Sequence, residues 1–242
     1  MPVKTTKYNS STNILGGMPN YSLMIDYINH CGEGASADLS AFQFRTKSAT
    51  NRFIKAVEDC FLNFKSDEHK SLFLSALASN DFSFEEKLVV LYWQIVCCNN
   101  LFREITDNVF LRALYSGRSS IAKADVEAYL KYIKVKEPEE LNWSDSTIAN
   151  SASKYLTMLK KFGFAAGTLQ KEIKAPHLSS ALFVYLVKLA LTVYPDERTL
   201  ANPLFRFSFL DNQSIITRLK TIEYIPLWNI TQIGSDITIT LK

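Results

Sequence analysis

The residues in this sequence that are best suited to a chemical task are lysines next to an amide and a hydroxyl. The lysines of residues 146–174 are Lys154, Lys160, Lys161, Lys171 and Lys174. The only acid in that segment is Glu172, and Asn150 and Ser151 lie just before the first lysine. Ammonium and hydroxyl groups bind phosphates, and an Asn amide pairs with an adenine edge. The segment therefore predicts a contact with DNA.

A helix and a hairpin are expected to position these side chains. Apolar residues recur at helical spacing and predict a helix over residues 147–162 that ends at Gly163. They are Ile148, Ala152, Tyr155, Leu156, Leu159 and Phe162. The side predicted to face outward carries Asn150, Ser151, Lys154, Met158 and Lys161. The segment 164–173 is short, partly apolar and contains Gly167, which favours a tight hairpin or a loop. Together they resemble the recognition helix and wing of a winged helix-turn-helix, although an ordinary amphipathic helix with solvated lysines has the same pattern.

A second basic run comes earlier in the chain. It consists of Arg45, Lys47, Arg52 and Lys55, and no acid lies among residues 45–55. This run is a second candidate for phosphate contacts. Glu58 and Asp59 follow closely, so pairing of these acids with the basic run is the alternative.

The sequence contains no pattern typical of catalysis or of metal binding. His30, His69 and His177 are not at metal-ligand spacing, and the phosphate-binding and nucleophile-elbow motifs are missing. Paired carboxylates such as Glu85 with Glu86 stand where they favour a helix dipole. We therefore expect a protein that is not an enzyme, with no catalytic residue, no metal site and no cofactor.

Composition predicts a folded protein in the cytoplasm. The 242 residues are 47% hydrophobic and 21% charged, which excludes disorder, and the formal charge of +3 permits an acidic partner. The first eleven residues lack the apolar stretch of a secretion signal, and the apolar stretches 88–98 and 181–194 are too short to cross a membrane. The four cysteines show no C-x-x-C spacing and are expected to be reduced, buried thiols.

The periodic segments predict a mainly α fold, a helical bundle with helix-turn-helix or winged-helix-like modules and small β-hairpins. Helices are predicted over residues 39–64, 67–78, from Ser83 onward, 101–115, from a cap at Ser120 to 133, 147–162 and 178–194, with a further short helix capped by Asp211. Ser83 and Glu86 have the spacing of a capping box, and the apolar run after them indicates a central helix.

The apolar pattern lapses at residues 134–142, which are charged and contain Pro138. A domain boundary is predicted there, between an N-terminal helical domain at 1–136 and a C-terminal winged-helix-like domain at 137–242. Residues 227–232 and 236–241 alternate around Gly234 and predict a terminal hairpin. That hairpin either completes a small core or offers an edge to a partner strand.

Three stretches in this order resemble the BrxA family of bacteriophage-exclusion (BREX) defence systems. They are residues 42–52 (FQFRTKSATNR), residues 86–94 (EKLVVLYWQ) continuing to Phe102, and residues 143–147 (WSDST) running to LKKFG at 159–163. The resemblance covers roughly residues 41–189. It implies a cytoplasmic, non-enzymatic DNA-binding protein that works beside larger BREX proteins with methylation and ATP-driven activities.

The function expected from the sequence is thus binding of double-stranded DNA, mainly through phosphates, in anti-phage defence with other BREX proteins as partners. The alternative is a protein-protein assembly adaptor of the defence complex that does not touch DNA. The sequence does not specify the preferred DNA site or the oligomeric state.

Overall fold

The computed structural model describes residues 7–18, 21–32, 39–40, 44–168, 170–234 and 236–242. The described chain is mainly helical with small antiparallel sheets, as the sequence predicts. It divides into two compact units. Unit 1 comprises Met1–Phe64 and Ser83–Pro176, and unit 2 comprises Lys65–Phe82 and His177–Lys242.

The described residues of unit 1 form eight α-helices, one π-helical turn and one sheet. Its helices are α1 (Ser11–Gly17), α2 (Tyr21–Gly32), α3 (Lys47–Phe61), α5 (Phe84–Cys98), α6 (Asn100–Ile105), a π-helical turn (Thr106–Leu111), α7 (Arg112–Tyr115), α8 (Lys123–Lys136) and α9 (Asp145–Lys161). Its strands are β1 (Ser120–Ala122), β2 (Ala165–Ala166) and β3 (Gln170–Ile173).

Helix α5 is the core helix of unit 1. The predicted capping box is confirmed: the Ser83 hydroxyl accepts from the Glu86 N–H at 3.2 Å, and the Glu86 carboxylate accepts from the Ser83 N–H at 2.8 Å. Every residue from Leu88 to Cys97 is buried. Even Gln94 is satisfied internally, because its amide donates to the Phe61 carbonyl at 2.8 Å.

The helix predicted over residues 101–115 is present, but it is interrupted by a π-helical turn. At the start of that turn the Thr106 hydroxyl donates to the Phe102 carbonyl at 2.6 Å. The Tyr155 hydroxyl of α9 donates to the same Thr106 oxygen at 3.2 Å. This buried chain of hydrogen bonds fixes α9 against the interrupted helix.

The strand β1 contradicts one sequence prediction. Ser120 was expected to cap a helix, but residues 120–122 pair antiparallel with β3, with Ser120 opposite Glu172. The cap of α8 is instead the Asp125 carboxylate, which accepts from the Ala122 N–H at 2.7 Å. Three residues carry too little periodicity to reveal a strand whose partner lies about 50 positions away.

The predicted hairpin after α9 is confirmed. Gly163 ends α9 with a φ of 84°, a left-handed conformation that favours glycine. β2 and β3 then pair antiparallel, with Ala165 opposite Ile173, so that the sheet has the order β1-β3-β2. The resulting sequence of elements is α6–α7, β1, α8, α9, β2 and β3.

Unit 2 is built on a pair of helices and a terminal hairpin. Its elements are α4 (Asp67–Ala78), α10 (Ser180–Val193), a 3-10 turn (Phe205–Ser208), α11 (Asn212–Leu219), a 3-10 turn (Ile222–Tyr224), β4 (Trp228–Ile233) and β5 (Asp236–Leu241). The predicted cap is confirmed, because the Asp211 carboxylate accepts from the Ser214 N–H at 2.7 Å. Trp228 and Ile239 on the inner face of the hairpin are buried, so the hairpin completes a small core.

Two further predictions differ from the structure in their limits. The helix expected from residue 39 begins at Lys47, where the Thr46 hydroxyl accepts from the Ala49 N–H at 3.1 Å. The charged segment expected at 134–142 is partly helical, since α8 continues to Lys136.

The domain boundary at residue 137 stays a prediction. The two compact units divide the chain elsewhere, and α8 and α9, on either side of residue 137, both lie in unit 1. None of the described helices combines the length and the apolar character needed to cross a membrane. Of the four thiols, those of Cys60 and Cys97 are buried and those of Cys31 and Cys98 are half-buried.

Buried tyrosines make unit 1 sensitive to alkali. Burial raises the pKa of Tyr21, Tyr92 and Tyr155 above the ordinary value near 10. Because the folded pKa is raised, their contribution to stability is complete below about pH 10 and is lost as the pH rises further. We expect these phenols to ionise only together with unfolding. Tyrosinate absorbance at 295 nm and helical circular dichroism should therefore change in one transition, and complete ionisation of all 11 tyrosines with the helix signal retained would contradict this.

Candidate nucleic-acid interface

Helix α9 has three different faces, and one of them packs into the core of unit 1. The buried residues of that face include Ile148, Ala152, Tyr155 and Leu159. The ring of Tyr155 lies 5.4 Å from that of Phe102, centroid to centroid. This face orients the other two, because a helix with a fixed core stripe cannot rotate about its axis.

The second face of α9 is covered by α1. Ser151 is only 3% exposed, and its hydroxyl accepts from the Asn13 amide at 2.9 Å. Met158, two turns further along this face, is fully buried. The prediction that Ser151 and Met158 face outward is therefore wrong, because the seven-residue α1 occupies the side of α9 that sequence periodicity leaves free.

The approach of α1 to α9 is close enough to require a glycine. A Cβ atom added to Gly16 would lie 2.7 Å from the Lys154 carbonyl oxygen and 2.8 Å from its Cβ. Both distances are shorter than van der Waals contact. At the neighbouring Gly17 an added Cβ would meet only the Lys154 ammonium, at 3.5 Å. A side chain is thus excluded at Gly16 but has room at Gly17.

Lys161 binds the end of α1 and does not face outward freely. Its ammonium donates to the Gly16 carbonyl at 3.1 Å and to the Met18 carbonyl, and lies 5.3 Å from the Tyr21 ring centroid. Carbonyls at a helix C-terminus attract a cation. Partial burial lowers the pKa of Lys161, and the neighbouring charge of Lys154 lowers it further. The lysine therefore holds α1 on α9.

The third face of α9 is the exposed polar stripe, which we define as Ser146, Asn150, Ser153, Thr157 and Lys160. These residues are exposed or half-exposed, and they recur at steps of four, three, four and three, which places them on one line along the helix. The stripe contains no acid. Asn150 and Lys160 were predicted from the sequence as site residues, but the three hydroxyl residues were not, because only the position of α1 shows which polar residues remain outside.

Two of the three hydroxyls of the stripe are turned back onto the helix. Ser153 donates to the Ala149 carbonyl at 3.0 Å, and Thr157 donates to the Ser153 carbonyl at 2.8 Å. Their oxygens therefore offer lone pairs outward as acceptors. With the amide of Asn150 and the ammonium of Lys160, the exposed polar stripe presents acceptors, an amide and a cation in succession.

The hairpin beside α9 carries two of the candidate lysines. The Lys171 ammonium closes the turn of its own hairpin by donating to the Gly167 carbonyl at 2.9 Å and to that of Thr168. Lys174 is exposed, and its backbone N–H donates to the Phe164 carbonyl at 2.8 Å. Glu172, between them, is also exposed. Lys174 is thus the hairpin ammonium that points most freely to solvent.

The second basic run lies along α3 and just before it. Arg45, Lys47, Arg52 and Lys55 are all exposed. The expected alternative pairing does not occur: within the described residues no ion pair joins them to Glu58 or Asp59, and Asp59 accepts from the Ser11 hydroxyl at 2.7 Å. Helix α1 packs against both α3 and α9. The two basic segments therefore flank the same short helix of unit 1.

In the described part of the chain, no three His, Cys, Asp or Glu side chains come together as a metal ion would require. The candidate site consists of cations, amides and hydroxyls. Its two acids at the margin are Glu172 and Asp145, and Asp145 lies 4.0 Å from the Lys134 ammonium.

Comparison with known proteins gives a family and a fold. The family model described as BrxA matches residues 36–189. No curated protein matches the chain. A solved structure of an uncharacterized protein from Magnetospirillum magneticum matches with a TM-score of 0.57 and 14% identity, over 77% of this chain and 98% of that chain. At that identity the likeness concerns the fold alone.

The contact of α1 with α9 predicts opposite outcomes for two neighbouring substitutions. Gly16→Ala forces α1 away from Lys154 and should lower the free energy of unfolding by about 1–3 kcal/mol. Gly17→Ala, which meets no clash, should be neutral or stabilising by up to about 1 kcal/mol. Urea unfolding of both variants measures the difference, and equal stabilities would show that the close approach does not hold α1 in place.

Proposed function

Because the chain belongs to the BrxA family of BREX anti-phage defence proteins, we propose that it is the non-enzymatic component that binds double-stranded DNA in such a system. The observation that carries the proposal is the exposed polar stripe of α9, which is free of acids and lies next to a hairpin with an exposed lysine. Other BREX proteins are its proposed partners, and the cytoplasm its proposed location.

The proposed DNA-binding module is a winged helix-turn-helix. Its support is the order of elements in unit 1: a helix, β1, α8, α9 and the β2–β3 hairpin, with β3 between β1 and β2 in the sheet. In that arrangement α8 and α9 are the helix-turn-helix pair, α9 enters the major groove, and the hairpin is the wing. Leu141, in the segment between the two helices, is fully buried and fixes their connection.

The exposed polar stripe has the chemistry of major-groove readout. The Asn150 amide can pair with the N6 and N7 atoms of adenine, and acceptors at Ser153 and Thr157 suit the amino groups of adenine or cytosine. The Thr157 methyl suits a thymine methyl. These contacts give a modest sequence preference, since only one amide is offered.

Phosphate contacts supply most of the proposed affinity. Lys160 at the end of the stripe and Lys174 on the wing are exposed, and Lys154 is half-exposed. Lys171 lies at the wing turn. The four cations of the α3 run form a further positive surface in the same unit for phosphates beyond the groove. Lys161 is assigned a structural task, since its ammonium already binds α1.

An assembly adaptor is the second candidate function, and one observation favours it. Ile222, Ile225 and Ile233 in unit 2 are exposed by 57–80%, and exposed aliphatic side chains are typical of interaction surfaces when they cluster. An adaptor keeps its partners after nuclease treatment, whereas a protein tethered through DNA loses them. Co-purification with and without nuclease therefore separates the two functions.

The salt dependence of binding counts the proposed phosphate contacts. Four neutralised phosphates, from Lys154, Lys160, Lys171 and Lys174, predict a slope of about −4 for the logarithm of affinity against the logarithm of salt concentration, and phosphates bound by the α3 run make the slope more negative. Fluorescence anisotropy with a labelled duplex of about 20 base pairs measures it. An affinity that does not change with salt would contradict the proposal.

Two substitutions in the stripe should have different consequences. Lys160→Ala is expected to weaken binding to all sequences alike and to reduce the magnitude of the salt slope by about 1. Asn150→Ala should reduce discrimination between sequences, by about 1–3 kcal/mol at one base pair. Lys70→Ala is the matched control, because Lys70 is also an exposed helical lysine but lies in unit 2. Gel shifts in which Lys160→Ala behaves like Lys70→Ala would exclude α9 from the interface.

A further inference from the structure

Unit 2 contains an elongated groove between α4 and α10. Two adjoining cavities of about 410 Å³ and 560 Å³ form it, and both are lined by Leu72, Ser75 and Lys188. The lining residues on this side run from Asp67, the first residue of α4, to Ser79, which directly follows α4, with one or two in every turn. The groove therefore follows the whole of α4, a length of about 18 Å.

The walls of the groove are apolar or small. The lining of one cavity includes Leu72, Ala76, Ala181 and Val184, and the lining of the adjoining cavity includes Ser71 and Ser75. Small side chains let another backbone approach closely. Aromatic rings bound one end, where Phe82 meets Tyr185 edge-on at 6.1 Å between centroids.

The charges in the groove alternate along its length. Lys188 is the only charged residue of α10, and it lines both cavities and so marks the middle. Within the described residues no ion pair forms at Lys188. Asp67 and Glu68 line one cavity at its far end, and Asp81 lines the other. The pattern is thus acidic, basic, acidic.

We propose that this α4–α10 groove binds an amphipathic helix of a partner protein, which carries a carboxylate at the centre of its apolar face and basic residues toward both ends. An apolar groove between two helices accepts a helix through side chains spaced three and four residues apart. A helix of about three to four turns matches the length of the groove. The central carboxylate pairs with Lys188, and the terminal cations face Asp67, Glu68 and Asp81.

The site is separate from the proposed DNA interface, because all of its lining residues belong to unit 2. The proposal adds a protein-binding function to the same chain. It does not depend on whether α9 binds DNA.

A pair of designed peptides tests the charge pattern on the full chain. Both are fluorescent 14-residue helices with a leucine stripe and a lysine near each end, and one has Glu at the centre of the stripe where the other has Lys. We expect the Glu-centred peptide to bind at least about tenfold more tightly by anisotropy, a ratio typical of a close charge pair. Lys188→Glu should invert the preference, and Lys188→Gln should abolish it.

Two exposed positions in unit 2 provide the blocking variant and its matched control. Ala181→Arg places a large side chain in the groove and should remove peptide binding, whereas Gln213→Arg on α11 adds the same charge outside the groove and should leave it intact. Circular dichroism checks that each variant is folded.

Three results would overturn the proposal. They are equal affinity for the two peptides, retention of the Glu preference in both Lys188 variants, and binding that survives Ala181→Arg. Sedimentation analysis tests the remaining outcome. If the wild-type chain forms a dimer and Ala181→Arg dissociates it, the groove binds a second copy of the chain and not the helix of a partner protein.

Discussion

The close packing of α1 on α9 is the contact that decides which surface of α9 is exposed in unit 1. It is possible only because Gly16 has no side chain, and it is held by Lys161, whose ammonium binds the carbonyls at the end of α1. With the core on one side and α1 on another, a single stripe of α9 remains exposed. The same short helix also contacts α3, so that both basic segments are positioned around it.

Much of the fold follows from local signals in the sequence. The capping box of Ser83 and Glu86, the cap at Asp211 and the helix stop at Gly163 are decided within four residues, and all three are confirmed. Strand β1 could not be predicted, because its partner β3 lies about 50 positions away in the sequence. Tertiary pairing here overrides the helix-start signal of Ser120.

The candidate site shows the same limit of sequence reasoning. Helical periodicity correctly predicts which residues of α9 enter the core, including Ile148 and Tyr155. It cannot tell which part of the polar remainder is solvated, since that depends on α1, about 140 residues earlier in the chain. Ser151 was therefore misplaced and Thr157 was overlooked. The two consecutive glycines of α1 were not singled out in the sequence, and their different roles become visible only where Gly16 meets Lys154.

A photo-crosslinking residue at position 150, in the N-terminal half of the exposed polar stripe, tests the DNA-binding proposal most directly. Irradiation of the full chain with a duplex should give a covalent protein–DNA product from position 150, and the same probe at position 213 on α11 should give none. A crosslink from position 213 with none from position 150 would contradict the proposal that α9 lies in the DNA groove.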